Sequence, residues 1–375
     1  MHAPSSASQP VASQPAAGPS ARMRSAPRRP VRRAAGAGIA VAASIGLAAC
    51  GSSGPVASAS VSKKVVPLVV YSAQGYDSAV TKAFTQATGI PVSLDDDSTG
   101  PLLTKVQAER NNPRWGVLWV DGDTAFAGLD QQGLLLRGWE PKVSWNAQGQ
   151  SVVPKDGSYV PTGLTMAGTV VYDSTKVSSP PTSWQDLLAP QWAHEVGMND
   201  PAISGPTYPF VAGMMNALGG VAQGEKYFSA LQANGLDVHE TNGDTLQALE
   251  VGQIRVAIIQ SSAGIGASLK DPAIRVAFLD PVTPIPSAVG IDPKAPPAEV
   301  AEAKQFVQFV LSPQGQQAMQ AGDPHGDSLY WPVLQGVSAL PALPPLASVP
   351  AKAIDPYTWG RREASLNSWF TNNIA

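Results

Sequence analysis

Ser204 and Gly205 stand in the stretch Asn199-Asp200-Pro201-Ala202-Ile203-Ser204-Gly205-Pro206-Thr207-Tyr208, between a strand-like run, Glu195–Met198, and the apolar run Val211–Leu218. Glycine lets a ligand approach the backbone, and Pro206 suits a first helical position, where its missing N–H costs nothing. The first N–H groups of a helix lack intrahelical partners and its dipole favours negative charge there. A Ser-Gly turn opening a helix is therefore an anion cradle. The plainer role for Ser204 is to cap that helix. Ser72-Ala73-Gln74-Gly75, Ser98-Thr99-Gly100 and Asp121-Gly122-Asp123 are further polar turns, each set between an apolar run and a helical pattern. Ser261-Ser262-Ala263-Gly264 follows another apolar run, Arg255–Gln260.

Other chemistries find less support. Asp95-Asp96-Asp97 offers three carboxylates, but consecutive residues on a strand end point to different sides, and a solvated loop is expected. His194, His239 and His325 are scattered, with no Cys/His/Asp cluster at metal spacing. A hydrolase needs a nucleophile with a positioned base, and no Gly-x-Ser-x-Gly elbow is present, so no catalytic residue, cofactor or metal is expected. Gly264-Ile265-Gly266 lacks the third glycine and the acidic residue of a dinucleotide fingerprint. Tyr76, Trp119 and Tyr208 either line a cleft or pack in a core; Trp359 and Trp369 read as core.

The elements that must position these turns are set by the apolar pattern. Val65–Tyr71, Ile90–Leu94 and Gly116–Val120 are strands, separated by helices beginning at Asp77 and Pro101 and followed by one from Thr124. Alternating strand and helix implies a mostly parallel sheet covered by helices, whose ligands bind at the carboxyl ends of the strands. The polar turns all fall there. Tyr159–Met166 and Gly168–Tyr172 suit a crossing between lobes, with Pro281–Pro286 as the return. Pro297–Leu311 is amphipathic, and Asp355–Ile374 is expected to be one closing helix.

The chain has 375 residues, enough for two lobes. Only 14% are charged, which argues against a nucleic-acid partner. Arg22, Arg24, Arg28, Arg29, Arg32 and Arg33 precede Cys50 and no acidic residue does. Of the 25 Lys+Arg, 19 therefore lie beyond Cys50, against 28 Asp+Glu, a net charge of −9. Any anion site must then be local, built from backbone and hydroxyl donors. The arginines lead into the apolar run Ala34–Ala49, which reads as a signal peptide and is short for a transmembrane helix. Leu47-Ala48-Ala49-Cys50 resembles a bacterial lipobox, which implies a leader over 1–49, starting at Met1 or Met23, with Cys50 lipidated. Residues 50–64 are expected to be a flexible tether.

Taken in order, Val69–Gln74, Ser98–Leu103, Asn112-Pro113 before Val117–Trp119, Val171–Asp173, Pro180–Leu187, Asp200–Gly205, Leu311–Gln316 and Asp323–Val333 resemble the extracellular solute-binding proteins of ABC importers. The branch is the one holding ferric-ion, phosphonate and phosphorylated-solute binders. The resemblance implies an α/β fold of the type II periplasmic-binding-protein kind, with two lobes of mostly parallel sheet joined by a two-strand hinge. Lobe 1 would comprise 65–163 and 283–375, and lobe 2 would comprise 164–282. It implies a monomeric, non-enzymatic receptor held at the cell membrane by a lipid on Cys50, which passes its solute to a membrane permease.

The resemblance also bears on the solute. Ferric binders of this family use a histidine after the first strand, where this chain has Gly75. They use paired tyrosines where it has Ser262-Ala263, and only Asp121 matches a ligand. Hard Fe(III) wants several anionic oxygens, and this set falls short. The turn that holds phosphate in those proteins keeps its Ser204 and Gly205. The expected solute is therefore a small anion, a phosphonate or phosphate ester. The expected ligand-binding residues are Ser72, Ala73, Gln74, Ser98, Thr99, Gly100, Asp121, Ser204, Gly205, Thr207, Tyr208, Ser261 and Ser262, with Asp121 facing an amine or hydroxyl of the solute. The alternatives are a ferric or ferric–anion binder, a polyamine or sugar binder of the same fold, a lipoprotein that has lost its solute, and last a secreted hydrolase.

Overall fold

The computed structural model describes residues 67–375; the leader, Cys50 and the 50–64 tether lie outside the described residues. From the first described strand, β1 (Leu68–Ser72) leads to α1 (Asp77–Thr88), β2 (Val92–Asp96) to α2 (Thr99–Glu109), and β3 (Val117–Asp121) to α3 (Asp123–Gln131). A short α4 (Ala147–Val152) precedes β4 (Val160–Ala167) and β5 (Thr169–Asp173), with Gly168 alone between the two strands. Next come β6 (Val196–Asn199), α5 (Thr207–Ala217), α6 (Val221–Ala233), β7 (Asp237–His239), α7 (Asn242–Val251), β8 (Val256–Ile259), α8 (Ser261–Lys270) and β9 (Ile274–Ala277). The chain returns through β10 (Thr283–Ile291) and ends with α9 (Pro297–Val310), α10 (Pro313–Gly322), α11 (Pro356–Gly360) and α12 (Glu363–Asn373).

Two five-stranded sheets form, ordered β2-β1-β3-β10-β4 and β7-β6-β8-β5-β9. Each contains three parallel strands: β1 pairs in parallel with β2 and β3, and β6 with β7 and β8. The sheets are nonetheless mixed rather than mostly parallel, because β10 runs antiparallel to β3 and β4, and β5 antiparallel to β8 and β9. Crossing explains this: β5 and β10 each enter their sheet from the other lobe and so run against the resident strands. Gly168, where the first crossing bends, has φ 74°, and a Cβ there would lie 2.1 Å from the Phe210 ring.

Both faces of each sheet are buried, which is why β1, β3 and β8 read as unbroken apolar runs. In lobe 1, Val70, Val117 and Trp119 pack with Phe84 and Phe306, whose rings lie 5.2 Å apart. In lobe 2, Val170, Met198 and Ile258 pack with Phe210 and Phe228. Tyr71, Leu118 and Val120 build the opposite face of the first sheet; Val171, Ala257 and Ile259 build that of the second.

The carboxyl terminus departs from expectation. In place of one helix within lobe 1 there are two, separated at Arg361-Arg362. α11 packs on α3 so closely that a Cβ on Gly360 would lie 2.3 Å from the Thr124 carbonyl oxygen. α12 sends Leu366 and Phe370 into the lobe 2 core, Phe370 meeting Phe228 at 5.8 Å. These two helices span both lobes. Among the described residues no helix is long and apolar enough to cross a membrane.

Candidate functional site

The lobes touch across one cleft. The Gly100 N–H, in the first turn of α2, donates to the Ile203 carbonyl of the other lobe at 2.9 Å. A Cβ on Gly100 would meet the Ala202 carbonyl oxygen at 1.9 Å, and one on Gly205 would meet the Thr99 hydroxyl at 2.4 Å. Between the lobes lies a cavity of about 400 Å³ that is open to solvent.

Helix starts build its wall. Ser98 and Thr99 open α2, Ser204, Gly205 and Pro206 open α5, and Thr241, Asn242 and Gly243 open α7; Gln74 and Gly75 precede α1, and Gln260 precedes α8. Parallel strands deliver this arrangement, because they end on the same side, and the helices that follow β2, β6 and β7 begin at the gap with N–H groups that lack intrahelical partners. The first turn of α7 is fixed by a capping box between Thr241 and Asp244. Ser204 accepts from Asn199 Nδ2 at 3.1 Å, and the same amide group donates to Asn242 Oδ1 at 2.7 Å. One buried asparagine therefore ties the starts of α5 and α7 together.

The same wall carries four carboxylates, from Asp96, Asp97, Asp121 and Asp327, and no Lys or Arg. Asp121 is buried and meets protein donors from both lobes: Gln74 Nε2 at 3.0 Å and Ser287 Oγ on one oxygen, Gln260 Nε2 at 2.8 Å on the other. The Tyr76 hydroxyl holds Gln74 Oε1 at 2.6 Å. Asp327 accepts from the Gly75 N–H at 2.8 Å and, across the cleft, from the Ser262 hydroxyl at 3.3 Å. Burial pushes the Asp327 carboxyl up to about 7, reinforced by the charges of Asp121 and Asp323 and opposed by the Gly75 N–H. Among the described residues no group of three or more His, Cys, Asp or Glu is placed to hold a metal ion.

Of the residues expected at the site, Ala73, Gln74, Ser98, Thr99, Asp121, Ser204 and Gly205 line this cavity. Others stand elsewhere. Ser72 is fully buried and accepts from the Gln74 N–H, shaping the turn from below. Gly100 spends its N–H on the other lobe. Thr207 is buried behind the wall beside Gly168 and Phe210. Tyr208 is fully buried, its hydroxyl 2.6 Å from the Trp359 carbonyl, because one step round the helix turns it into the core. Tyr76 and Trp119 are core residues too. Ser261 accepts from the Met166 N–H at 3.0 Å, and Ser262 reaches the cavity only through Asp327. Asp95 is held by Lys105; Asp96 and Asp97 are exposed, as a solvated loop requires, and also line the cavity.

Asn242, Gln260 and Asp327 were not foreseen in this role. Asp327 lies in a segment that carried the resemblance, Asp323–Val333. The other two are polar residues at helix starts with no distinguishing motif.

A two-lobed α/β clamp with a polar cavity at its strand ends is the architecture of a type II periplasmic binding protein. The model for the bacterial extracellular solute-binding protein family matches residues 79–351, and the chain belongs to that family. Among its relatives is a periplasmic protein of Salmonella paratyphi A, provisionally named as binding 2-aminoethylphosphonate. It is 23% identical over 240 residues, 62% of this chain and 68% of the relative. The major ferric iron-binding protein of Neisseria meningitidis is 27% identical over 270 residues, 68% of this chain and 78% of that protein. The structure of AfuA from Actinobacillus pleuropneumoniae, with fructose-6-phosphate bound, superposes with a TM-score of 0.71 at 20% identity, covering 82% of this chain and 98% of that one.

Proposed function

We propose that the chain is a lipid-anchored receptor of an ABC importer that closes on a small solute carrying both an oxyanion and an amine, an aminoalkylphosphonate or a related phosphate ester. One observation carries this: a single cavity is lined by the starts of α2, α5 and α7 together with four carboxylates, and by no Lys or Arg. Helix starts and hydroxyls suit phosphonate oxygens. Four carboxylates around an anion would oppose it unless the solute brings a positive charge. Its oxygens would take donors from Ser98, Thr99, Ser204, Gly205 and the first turn of α7, and its ammonium group would face the carboxylates. Bound closure rather than turnover is the function. A lipid on Cys50 would keep a monomeric receptor outside the cytoplasm and beside its permease.

The names of the Salmonella and Actinobacillus proteins support a phosphonate or phosphate ester, and no metal-holding group among the described residues favours the ferric reading. The acidic wall gives a polyamine a second place. Thermal shift of the protein with 2-aminoethylphosphonate, sugar phosphates, inorganic phosphate, ferric citrate and putrescine separates these readings, since binding to the folded state raises Tm. The largest rise is expected with 2-aminoethylphosphonate. A rise with ferric ion alone or with putrescine alone would contradict the proposal.

A further inference from the structure

Asp327 joins three parts of the chain that are distant in sequence. It comes from the irregular segment after α10. One carboxylate oxygen accepts from Gly75 in the β1–α1 turn of lobe 1, and the other from Ser262 in the first turn of α8 in lobe 2. Its own N–H donates to Asp323 Oδ2 at 2.7 Å, which fixes the loop behind it. A Cβ on Gly266 of α8 would lie 1.8 Å from the His325 carbonyl oxygen, so this loop and α8 are in intimate contact. The carboxylate is thus both a wall of the cavity and a tie between the lobes.

The charges facing it are mostly of its own sign. Asp121 approaches from β3 and Asp323 from its own loop, and Asp96 and Asp97 belong to the same cavity lining. An adjoining cavity of about 250 Å³, which Asp327 also lines, adds Glu250, Lys270 and His325. Lys270 is the one Lys or Arg in either lining. The remaining neighbours, Tyr76, Asn242 and Ser262, are neutral.

We propose that Asp327 selects the charge of the solute: the closed clamp needs a positive charge against this carboxylate, and either the solute's ammonium group or a proton supplies it. The inference rests on the amine-bearing solute proposed above and assigns the residue that reads the amine. When the lobes part, Asp327 loses Ser262 and gains water, and its carboxyl moves back toward the ordinary 3.8. The closed form therefore holds a proton more tightly than the open form. Closure without a cation is favoured in acid and loses that advantage as pH rises through about 7. An ammonium group beside the carboxylate removes the need for the proton, so closing on an amine-bearing solute leaves Asp327 ionised. Closing on an amine-free one transfers a proton from buffer to its carboxylate.

Calorimetry at about pH 6 in two buffers of different ionisation enthalpy counts these protons. Ethylphosphonate and 2-aminoethylphosphonate are compared on the wild-type protein and on Asp327→Asn, which keeps an acceptor for Gly75 but cannot ionise. Comparing proteins cancels protons exchanged by the phosphonate itself. The wild type should take up close to one more proton than the variant on binding ethylphosphonate, and no more than the variant on binding 2-aminoethylphosphonate. Asp327→Asn should shift the preference by about tenfold or more toward the amine-free solute, the scale of a lost charged hydrogen bond. Equal proton counts and an unchanged preference would overturn the proposal.

If neither phosphonate binds, the solute reading fails and the latch is judged without solute by small-angle scattering. The wild type should be more compact at about pH 6 than at about pH 8.5, and Asp327→Asn equally compact at both. The same response in the two proteins would refute the latch by itself.

Discussion

Gln74, Gln260 and Ser287 turn three donors on the two oxygens of Asp121. An amide at that position has one acceptor oxygen and brings two donors of its own. Asp121→Asn should therefore lower stability by about 1–3 kcal/mol, read by chemical denaturation, and should also weaken the amine-bearing solute. Ser204 differs in kind. Its hydroxyl accepts from Asn199 and has its own hydrogen free to turn toward the cavity. Ser204→Ala should cost about tenfold or more in affinity for a phosphonate by calorimetry, while Tm moves little. At this scale the site was only partly legible. Ser204, Gly205 and Asp121 follow apolar runs in the sequence and announce themselves. Gln260 acquires its role from Asp121, 139 residues away, and Asp327 from Gly75, 252 residues away. No local pattern encodes such pairings. Tyr208 misled for the opposite reason, since its neighbours in sequence reach the wall and its side chain turns away from it.

At the scale of elements, α2 meets the other lobe through the backbone of Gly100. Gly100→Ala sets a methyl group against the Ala202 carbonyl and should prop the clamp ajar, weakening the solute about tenfold or more with little change in Tm. Scattering should then report a larger radius of gyration with solute present. The carboxyl-terminal pair makes a different prediction. Burial pushes Glu363 up to about 8, with the nearby Asp123 charge adding to it; burial pushes Asp123 itself up to about 7. Both are raised above their ordinary values, so the folded state holds these protons more tightly. Their contribution is present in acid and lost as pH rises through about 7 to 8. Tm should fall between about pH 6 and pH 9, and Glu363→Gln should flatten that fall. Strands β1, β3 and β8 were legible because burial on both faces leaves continuous apolar runs. β7 and α4 were not, being three and six residues of mixed polarity. The break at Arg361-Arg362 carries no Pro or Gly signal other than Gly360, which serves the packing on α3.

Over the whole molecule, two sheets of the same plan face each other with every resident strand ending at the gap, so neither lobe alone owns the cavity. The sequence made the repeated strand–turn–helix pattern visible, but not the antiparallel crossing strands, whose direction is set by where the chain comes from rather than by any residue in them. The closed clamp is polar on the wall and acidic in sum, a combination that suits a solute bearing both charges. Calorimetry of 2-aminoethylphosphonate against its two halves, ethylphosphonate and ethylamine, tests this most directly. One site per chain is expected, with an affinity for the whole solute at least about a hundredfold above either half, from two charge-assisted contacts made at once. Equal affinity for the solute and for one of its halves would contradict a cavity built to read both charges.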